Sequence, residues 1–148
     1  MGKGRSNRGD PRAKASNARK YQVFISHATA DKWLAKILCE KIESIGAKTF
    51  RDDRDIKGGD IISDEIFAEI KRSKEFVVLL TPTSVTRPWV LLEVGAACLC
   101  RWLRIVPIIY HVGLDPIPAI IQAKKAIQLN DLDTYLEELR ERVKGKAV

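Results

Sequence analysis

Residue types that often build metal and redox sites are scarce in this chain of 148 residues. It has two histidines, His27 and His111, and three cysteines, Cys39, Cys98 and Cys100. The cysteines are odd in number and lie in apolar, helix-like segments, so we expect no disulfide framework and a reducing cytoplasm as the compartment. Because His and Cys are not clustered at ligand spacing, we predict no metal site.

Long hydrophobic runs are missing as well. No stretch approaches the roughly 20 apolar residues of a membrane-spanning helix. The first part of the chain also has no apolar core of the kind found in a secretory signal. Hydrophobic residues make up 45% of the chain and charged residues 30%, which is typical of a soluble globular protein. The length favours a single domain.

The net charge of +7 is concentrated at one end. Residues 1–20 carry seven Lys or Arg and one acid, whereas the other 128 residues carry 19 basic and 18 acidic side chains. Few apolar residues accompany these charges, so we predict a disordered basic tail over 1–19 and one domain over 20–146. A basic tail can bind nucleic acid or anionic lipid. The alternative is that it only keeps the protein soluble, and we do not expect nucleic acid to be the main partner.

Strand-like and helix-like segments alternate after the tail. Short apolar or β-branched runs predict five strands, over 21–26, 47–52, 75–81, 104–110 and 126–129. Helical spacing of apolar residues predicts helices. The first begins near Thr29 or Asp31, either of which can cap it, and has Trp33 among its apolar residues. The others begin near Asp60 or Ser63, run over about 84–102, and run over 132–143. We expect residues 111–120 to form a loop, because prolines there interrupt regular helix or strand. This alternation predicts an α/β fold, in which a parallel sheet is covered on both faces.

Ligands of such sheets bind outside the carboxyl ends of the strands, at the point where the winding direction reverses. In the flavodoxin-like strand order that point lies between the first and third strands. Here the two strand ends are residues 26–28 and 81–83, and a helix begins beside them. We therefore expect a cleft at this place.

Glu93 is the candidate acid near this cleft. It lies four residues after Trp89, on the same helical face, within the apolar segment over 86–97. A carboxylate in such a segment is costly to bury unless it is paired or functional. The alternatives are an ion pair to Arg87 or Arg101, or a position at the rim.

Other polar motifs give weaker signals. Ser26 and His27 are adjacent in an extended strand end, so their side chains point to opposite faces and cannot form a Ser–His nucleophile couple. The KGGD segment over 57–60 lacks the Gly-Lys-Ser/Thr end of a phosphate-binding Walker loop. We interpret it as a mobile flap over the predicted cleft, with an ordinary turn as the alternative. The DDRD segment over 52–55 matches no calcium loop, so we expect a solvated charged loop there.

Taken in order, these segments resemble the Toll/interleukin-1 receptor (TIR) domain family over about residues 20–145. The resemblance rests on YQVFISHATAD, FRDDRDIKGGD, EFVVLLTPTSVTRPWVLLEV and RIVPIIY, and it is strongest for stand-alone bacterial members that cleave NAD+. It implies a flavodoxin-like three-layer sandwich with a five-stranded parallel sheet. It also implies either NAD+ cleavage or scaffolding through contacts between TIR domains.

The resemblance implies roles for several residues. The enzymatic branch carries a catalytic glutamate in a Trp-x-x-x-Glu pattern, which Trp89 and Glu93 match. Residues that match the family's substrate contacts are Ser26, His27, Ala28, Thr29, Lys57 and Trp89. NAD+ is then the substrate, with no separate cofactor, and the expected partners are further copies of the chain and a separate sensor or effector protein. A non-enzymatic scaffold and a nucleoside deoxyribosyltransferase-like enzyme remain as alternatives.

Overall fold

The computed structural model describes residues 20–52 and 64–145. The predicted tail over 1–19 and the KGGD segment lie outside the described residues. Within the described part, one sheet contains five parallel strands in the order β2-β1-β3-β4-β5. The strands are β1 (Gln22–Ser26), β2 (Lys48–Arg51), β3 (Glu75–Leu80), β4 (Arg104–Ile109) and β5 (Ile127–Gln128). The predicted five-stranded parallel sheet is confirmed, and the winding reverses between β1 and β3.

The helices follow the strands in alternation. They are α1 (Lys32–Glu43), α2 (Asp64–Arg72), α3 (Pro88–Leu99), α4 (Ala119–Gln122) and α5 (Leu132–Val143). Short 3-10 turns precede α1, α3 and α5, at Thr29–Asp31, Ser84–Thr86 and Leu129–Asp131. The α1 helix is followed by Gly46 at a φ of 103°, a left-handed conformation that glycine adopts without strain.

Helices cover both faces of the sheet, because successive strand residues point to opposite sides. Phe24 and Phe76 face α2 and α3, whereas Ile25 and Val77 face α1 and α5. The rings of Phe24 and Phe76 lie on neighbouring strands in register and stack with centroids 5.3 Å apart. Two apolar cores therefore sandwich the sheet, as the flavodoxin-like three-layer fold requires.

Three local expectations need correction. The helix predicted from about Ser84 begins at Pro88, because Pro88 occupies its first turn and Arg87 before it is extended. A short helix, α4, lies between β4 and β5, where we expected only a loop interrupted by prolines. Trp33 matches the helical spacing of the apolar residues in α1, yet its surface is 74% exposed.

The three cysteines are free thiols in the structure. Cys39 and Cys100 are buried, whereas Cys98 is half-buried. Burial raises the pKa of the Cys98 thiol, and the positive charge of Lys124 lowers it in part. Among residues 20–52 and 64–145, no three His, Cys, Asp or Glu side chains come together in a way that could hold a metal ion.

Candidate active site

Helix α3 carries Glu93 to the carboxyl edge of the sheet. Arg87 is extended because a proline follows it, and Pro88 starts the helix in a backbone conformation that its ring already favours. Glu93 then lies one turn and a half into α3, facing the sheet. Its side chain is 1% exposed, while Arg87 and Arg101 are exposed. The rim position that we considered for Glu93 is therefore excluded.

Ser26 holds the carboxylate of Glu93. The Ser26 hydroxyl donates a hydrogen bond of 2.8 Å to Oε1 of Glu93, and both side chains are buried. Ser26 is the last residue of β1, so the bond joins the end of a central strand to the middle of α3. A hydrogen bond to a carboxylate contributes about 1.5–3 kcal/mol and fixes the orientation of the group.

Trp89 links α3 to the end of β2. Its indole Nε1–H donates a hydrogen bond of 3.1 Å to Oδ2 of Asp52, and both residues are buried. The indole is 9% exposed, so it lies largely in the core next to the predicted cleft. The sequence placed Asp52 in a solvated charged loop, but the structure gives it a buried role at the strand end.

The residues after β1 divide into a buried and an exposed part. His27 is 4% exposed, and its Nδ1 lies 2.8 Å from the carbonyl oxygen of Ala28. Ala28 is 3% exposed, whereas Thr29 is on the surface. Thus Ser26, His27, Ala28 and Trp89 are all buried; Ser26 contacts Glu93 directly, and Trp89 lies about one turn before Glu93 on α3. Lys57 lies outside the described residues.

A second set of hydrogen bonds fixes the two loops that border the switch point. The Thr81 hydroxyl donates to Oδ2 of Asp31 at 2.6 Å, which joins the loop after β3 to the turn after β1. Ser84 accepts from the Thr81 backbone N–H at 2.8 Å and donates to the Leu79 carbonyl at 2.7 Å. We expected Thr29 or Asp31 to cap α1; Asp31 is at the cap position, but it makes no side-chain cap bond. Its carboxylate bridges the loops instead.

The opposite edge of the sheet holds a different buried carboxylate, Glu75. It is fully buried and accepts hydrogen bonds from the hydroxyls of Tyr21 and Tyr135. Arg142 donates to both of its oxygens, from Nε at 2.8 Å and from a terminal nitrogen at 2.9 Å. Every oxygen of Glu75 is thus satisfied by residues far apart in the chain, which is typical of a structural network.

This network shifts the protonation of its members. Burial raises the pKa of the Tyr135 hydroxyl, and the negative charge of Glu75 and their hydrogen bond raise it further. The same causes raise the pKa of Tyr21. Burial lowers the pKa of Arg142, but the hydrogen bond and charge of Glu75 outweigh this effect and raise it. The network therefore consists of a charged pair with two neutral tyrosines.

The two buried carboxylates thus differ in kind. Glu75 is enclosed by a cation and two phenols at the amino edge. Glu93 is held by a serine hydroxyl at the carboxyl edge, where ligands of parallel α/β sheets bind. Strong pairing at Glu75 explains its burial without a ligand, whereas the position of Glu93 makes it the better candidate for chemistry.

Comparison with known proteins agrees with this architecture. The sequence profile of the TIR domain matches residues 23–143. Among curated proteins, one from Arabidopsis thaliana that is named as a disease resistance protein is 36% identical over 108 residues, which is 69% of this chain and 10% of the relative. A protein of Brachypodium distachyon named as a 2′ cyclic ADP-D-ribose synthase is 24% identical over 133 residues, which is 87% of this chain. The chain spans 59% of that second relative.

Solved structures show the same fold. The TIR domain of the Toll-related receptor TRR-2 from Hydra magnipapillata superposes with a TM-score of 0.66 at 22% identity, covering 84% of this chain and 99% of that domain. The TIR domains of the activated Roq1 resistosome superpose with a TM-score of 0.53 at 23% identity, covering 85% of this chain and 82% of that one. No helix within residues 20–52 and 64–145 is long and apolar enough to cross a membrane.

Proposed function

This chain belongs to the TIR domain family, and from that premise we propose that it cleaves the nicotinamide–ribose bond of NAD+, with Glu93 as the catalytic carboxylate. One observation carries the proposal. Glu93 is 1% exposed, lies beside the switch point of the sheet, and is oriented by the Ser26 hydroxyl at 2.8 Å. A carboxylate in a position so poor in water is well suited to stabilise positive charge.

The chemistry of NAD+ needs little more than such a group. Nicotinamide is attached as a cation and leaves as a neutral molecule when the bond to the ribose anomeric carbon breaks. The leaving group takes the electron pair of that bond, so it needs no proton from a general acid, unlike the sugar alcohols released by glycosidases. Positive charge develops on the ribose, and the negative charge of Glu93 stabilises it. NAD+ is the substrate, and the reaction needs no cofactor.

The nucleophile then decides the product. Attack by water gives ADP-ribose and a proton, whereas attack by an atom of the adenosine half gives a cyclic ADP-ribose. The Brachypodium relative is named for a cyclic product, which supports including cyclisation in the proposal. Ser26, His27, Ala28, Thr29, Lys57 and Trp89 are the proposed substrate-binding residues. Trp89 is buried, and we propose that its indole packs against a flat ring of the substrate.

The setting that we propose is immune signalling or NAD+ depletion in a bacterial cytoplasm. The Arabidopsis relative is named as a disease resistance protein, which supports a role in defence, and antiviral defence is the form that we propose. We further propose that the chain associates with copies of itself, which the likeness to the TIR domains of the Roq1 resistosome supports. A separate protein then acts as sensor or effector.

Incubation of the purified chain with NAD+ tests the proposal, with products identified by mass spectrometry. Free nicotinamide together with ADP-ribose or a cyclic isomer is the expected result. The matched control is Glu137→Gln, which removes one exposed carboxylate from α5 and should leave turnover unchanged. Turnover of nucleosides without turnover of NAD+ would contradict the proposal and favour a nucleoside-processing enzyme.

The second candidate function is a scaffold without enzymatic activity. The observation that favours it is the number of large apolar side chains left on the surface, among them Trp33 at 74% exposed, Leu99 at 84% and Leu114 at 67%. Exposed apolar groups of this size are common at protein interaction sites. Self-association with no release of nicotinamide, even at high protein concentration, would support the scaffold.

A further inference from the structure

A concave pocket lies at the amino edge of the sheet, on the opposite side from Glu93. It has a volume of about 430 Å³ and is formed by the starts of β4 and β5, the segment that follows α3, and one face of α5. The volume is within the range of about 300–1,000 Å³ typical of small-molecule sites. The shape therefore fits a compact ligand, and a long chain would contact it only in part.

The lining of this pocket is strongly basic. Among the described residues, five cationic side chains contribute to it, whereas Glu138 is the only acidic one. The cations are Arg101, Arg104, Lys124, Lys125 and Arg142. Arg142 is committed to Glu75 at 2.8 Å and lies 3.9 Å from Glu138. The other four form no ion pair with the residues that the structure describes.

Positive charges gathered in a concavity attract an anion. Like charges held close together repel one another, so an anion that neutralises them relieves a cost already present in the folded chain. Arginine and lysine are the side chains that recognise phosphate groups, arginine by paired hydrogen bonds and lysine as a point charge. Phosphoryl groups are thus the anions that this lining fits.

Trp102 adds an aromatic surface to the same pocket. Trp102 lies between Arg101 and Arg104 in the sequence, is one of the residues that line the pocket, and is 62% exposed. An exposed tryptophan beside cations is suited to stack on a flat heterocycle, and such stacking contributes about 1–3 kcal/mol per base in nucleic-acid complexes. Cations and an aromatic face together match the phosphate and the base of a nucleotide.

We propose that this pocket binds a mononucleotide, with its phosphates on Lys124, Lys125, Arg101 and Arg104 and its base against Trp102. The limited volume favours a mononucleotide over a nucleic acid chain. The site is at the edge of the sheet opposite Glu93, so the proposal does not depend on NAD+ cleavage. It is a binding site for a second ligand and not part of the proposed catalytic centre.

Titration of ADP into the full chain tests the proposal, followed by tryptophan fluorescence and by calorimetry. ADP has no nicotinamide–ribose bond, so turnover at Glu93 does not disturb the measurement. We expect saturable binding and quenching of fluorescence. The double variant Lys124→Glu, Lys125→Glu should weaken the binding of ADP at least tenfold. Trp102→Leu should weaken it roughly five- to hundredfold and remove most of the quench.

The matched control is Lys36→Glu, Lys41→Glu, because both lysines are exposed on α1 and the change in net charge is the same. This variant should bind ADP within about twofold of the unchanged chain. Inorganic phosphate should compete with ADP, and adenosine should bind much more weakly than ADP. The Lys124 and Lys125 positions are exposed, so loss of folding does not threaten the comparison.

Three results would overturn the proposal. One is the absence of saturable ADP binding at millimolar concentration. Another is equal weakening by the pocket variant and by the α1 control, which would indicate a general charge effect or binding elsewhere. The third is tight binding of a single-stranded oligonucleotide that depends on Lys124 and Lys125 while ADP fails to bind, because the pocket would then belong to a nucleic-acid surface.

Discussion

The Ser26 hydroxyl donates a 2.8 Å hydrogen bond to Oε1 of Glu93, although 67 positions separate the two residues in the chain. The bond joins the last residue of β1 to α3 in the buried interior. It holds the carboxylate in one orientation at the edge where the winding of the sheet reverses. Any chemistry performed by Glu93 therefore depends on how the first strand ends.

Replacing Glu93 with Gln should abolish most of the NAD+ cleavage. The amide keeps the shape of the side chain but removes the negative charge that stabilises the ribosyl cation. Loss of one such electrostatic group lowers turnover by about two to three orders of magnitude. Release of nicotinamide, followed by chromatography, measures the effect. Circular dichroism should show the fold unchanged, and turnover near that of the unchanged chain would reject Glu93 as the catalytic group.

Replacing Ser26 with Ala tests the positioning of that carboxylate. Loss of a hydrogen bond to a charged group costs about 1.5–3 kcal/mol, so kcat should fall roughly tenfold or more while KM changes less. Ser44→Ala is the control, because Ser44 is an exposed serine that donates only to a backbone carbonyl in α1. A change confined to KM would show that Ser26 contacts substrate without orienting Glu93.

Most of the fold follows from local sequence patterns. The run over 76–80 is continuously apolar and forms β3, which is buried throughout. Alternation of strands and helices gave the parallel sheet, because only helical crossovers join parallel neighbours at these loop lengths. Helix α4 could not be predicted in this way, since it has four residues and follows Pro118. Four residues are too few to show a helical spacing of apolar residues that would distinguish α4 from a loop.

Long-range contacts could not be read from local patterns. Glu93 stood out because it is an acid in an apolar helix, but nothing nearby pointed to Ser26 as its partner. Glu75 appeared only as the polar start of an apolar run, whereas its partner Arg142 is 67 positions away. Asp31 had the spacing of a helix cap, and the approach of Thr81 redirected its carboxylate. Such pairings depend on the three-dimensional order of the strands.

Replacing Glu75 with Gln should strongly destabilise the fold. The change leaves the guanidinium of Arg142 without the two charged hydrogen bonds that it makes in the interior. Breaking a buried ion pair by removing one partner costs about 3–5 kcal/mol. Urea unfolding measures this loss. Glu138→Gln is the control, because that side chain is 40% exposed and lies 3.9 Å from Arg142, and it should change stability by less than about 1 kcal/mol.

The raised pKa of Tyr135 predicts how stability changes in alkali. Tyr135 stays neutral in the folded chain because of burial and the charge of Glu75, while an unfolded tyrosine ionises near pH 10. The free energy of unfolding that the neutral Tyr135 contributes is therefore fully present below about pH 10, and it is lost as the pH rises through the pKa of Tyr135 in the folded chain. Tyr135→Phe should show a shallower fall of unfolding free energy above about pH 10 than the unchanged chain.

Tyr110→Phe provides the control for this pH dependence, because Tyr110 lies on the surface beyond β4. Its alkaline slope should match that of the unchanged chain. Urea unfolding curves at a series of pH values give both slopes. If Tyr135→Phe and the unchanged chain lose stability in parallel, the hydroxyl of Tyr135 does not remain neutral in the folded state.

Activity of the chain should also depend on its concentration. Glu93 is 1% exposed in the single chain, so NAD+ reaches it only if the surroundings rearrange. Packing against a second copy can stabilise a rearranged, substrate-competent state, and the exposed Trp33 and Leu114 offer apolar surface for such contacts. We expect the rate per mole of protein to rise as the chain is concentrated, in step with self-association followed by light scattering. A rate that stays constant from dilute to concentrated protein, while the chain remains monomeric throughout, would show that the monomer is the active form.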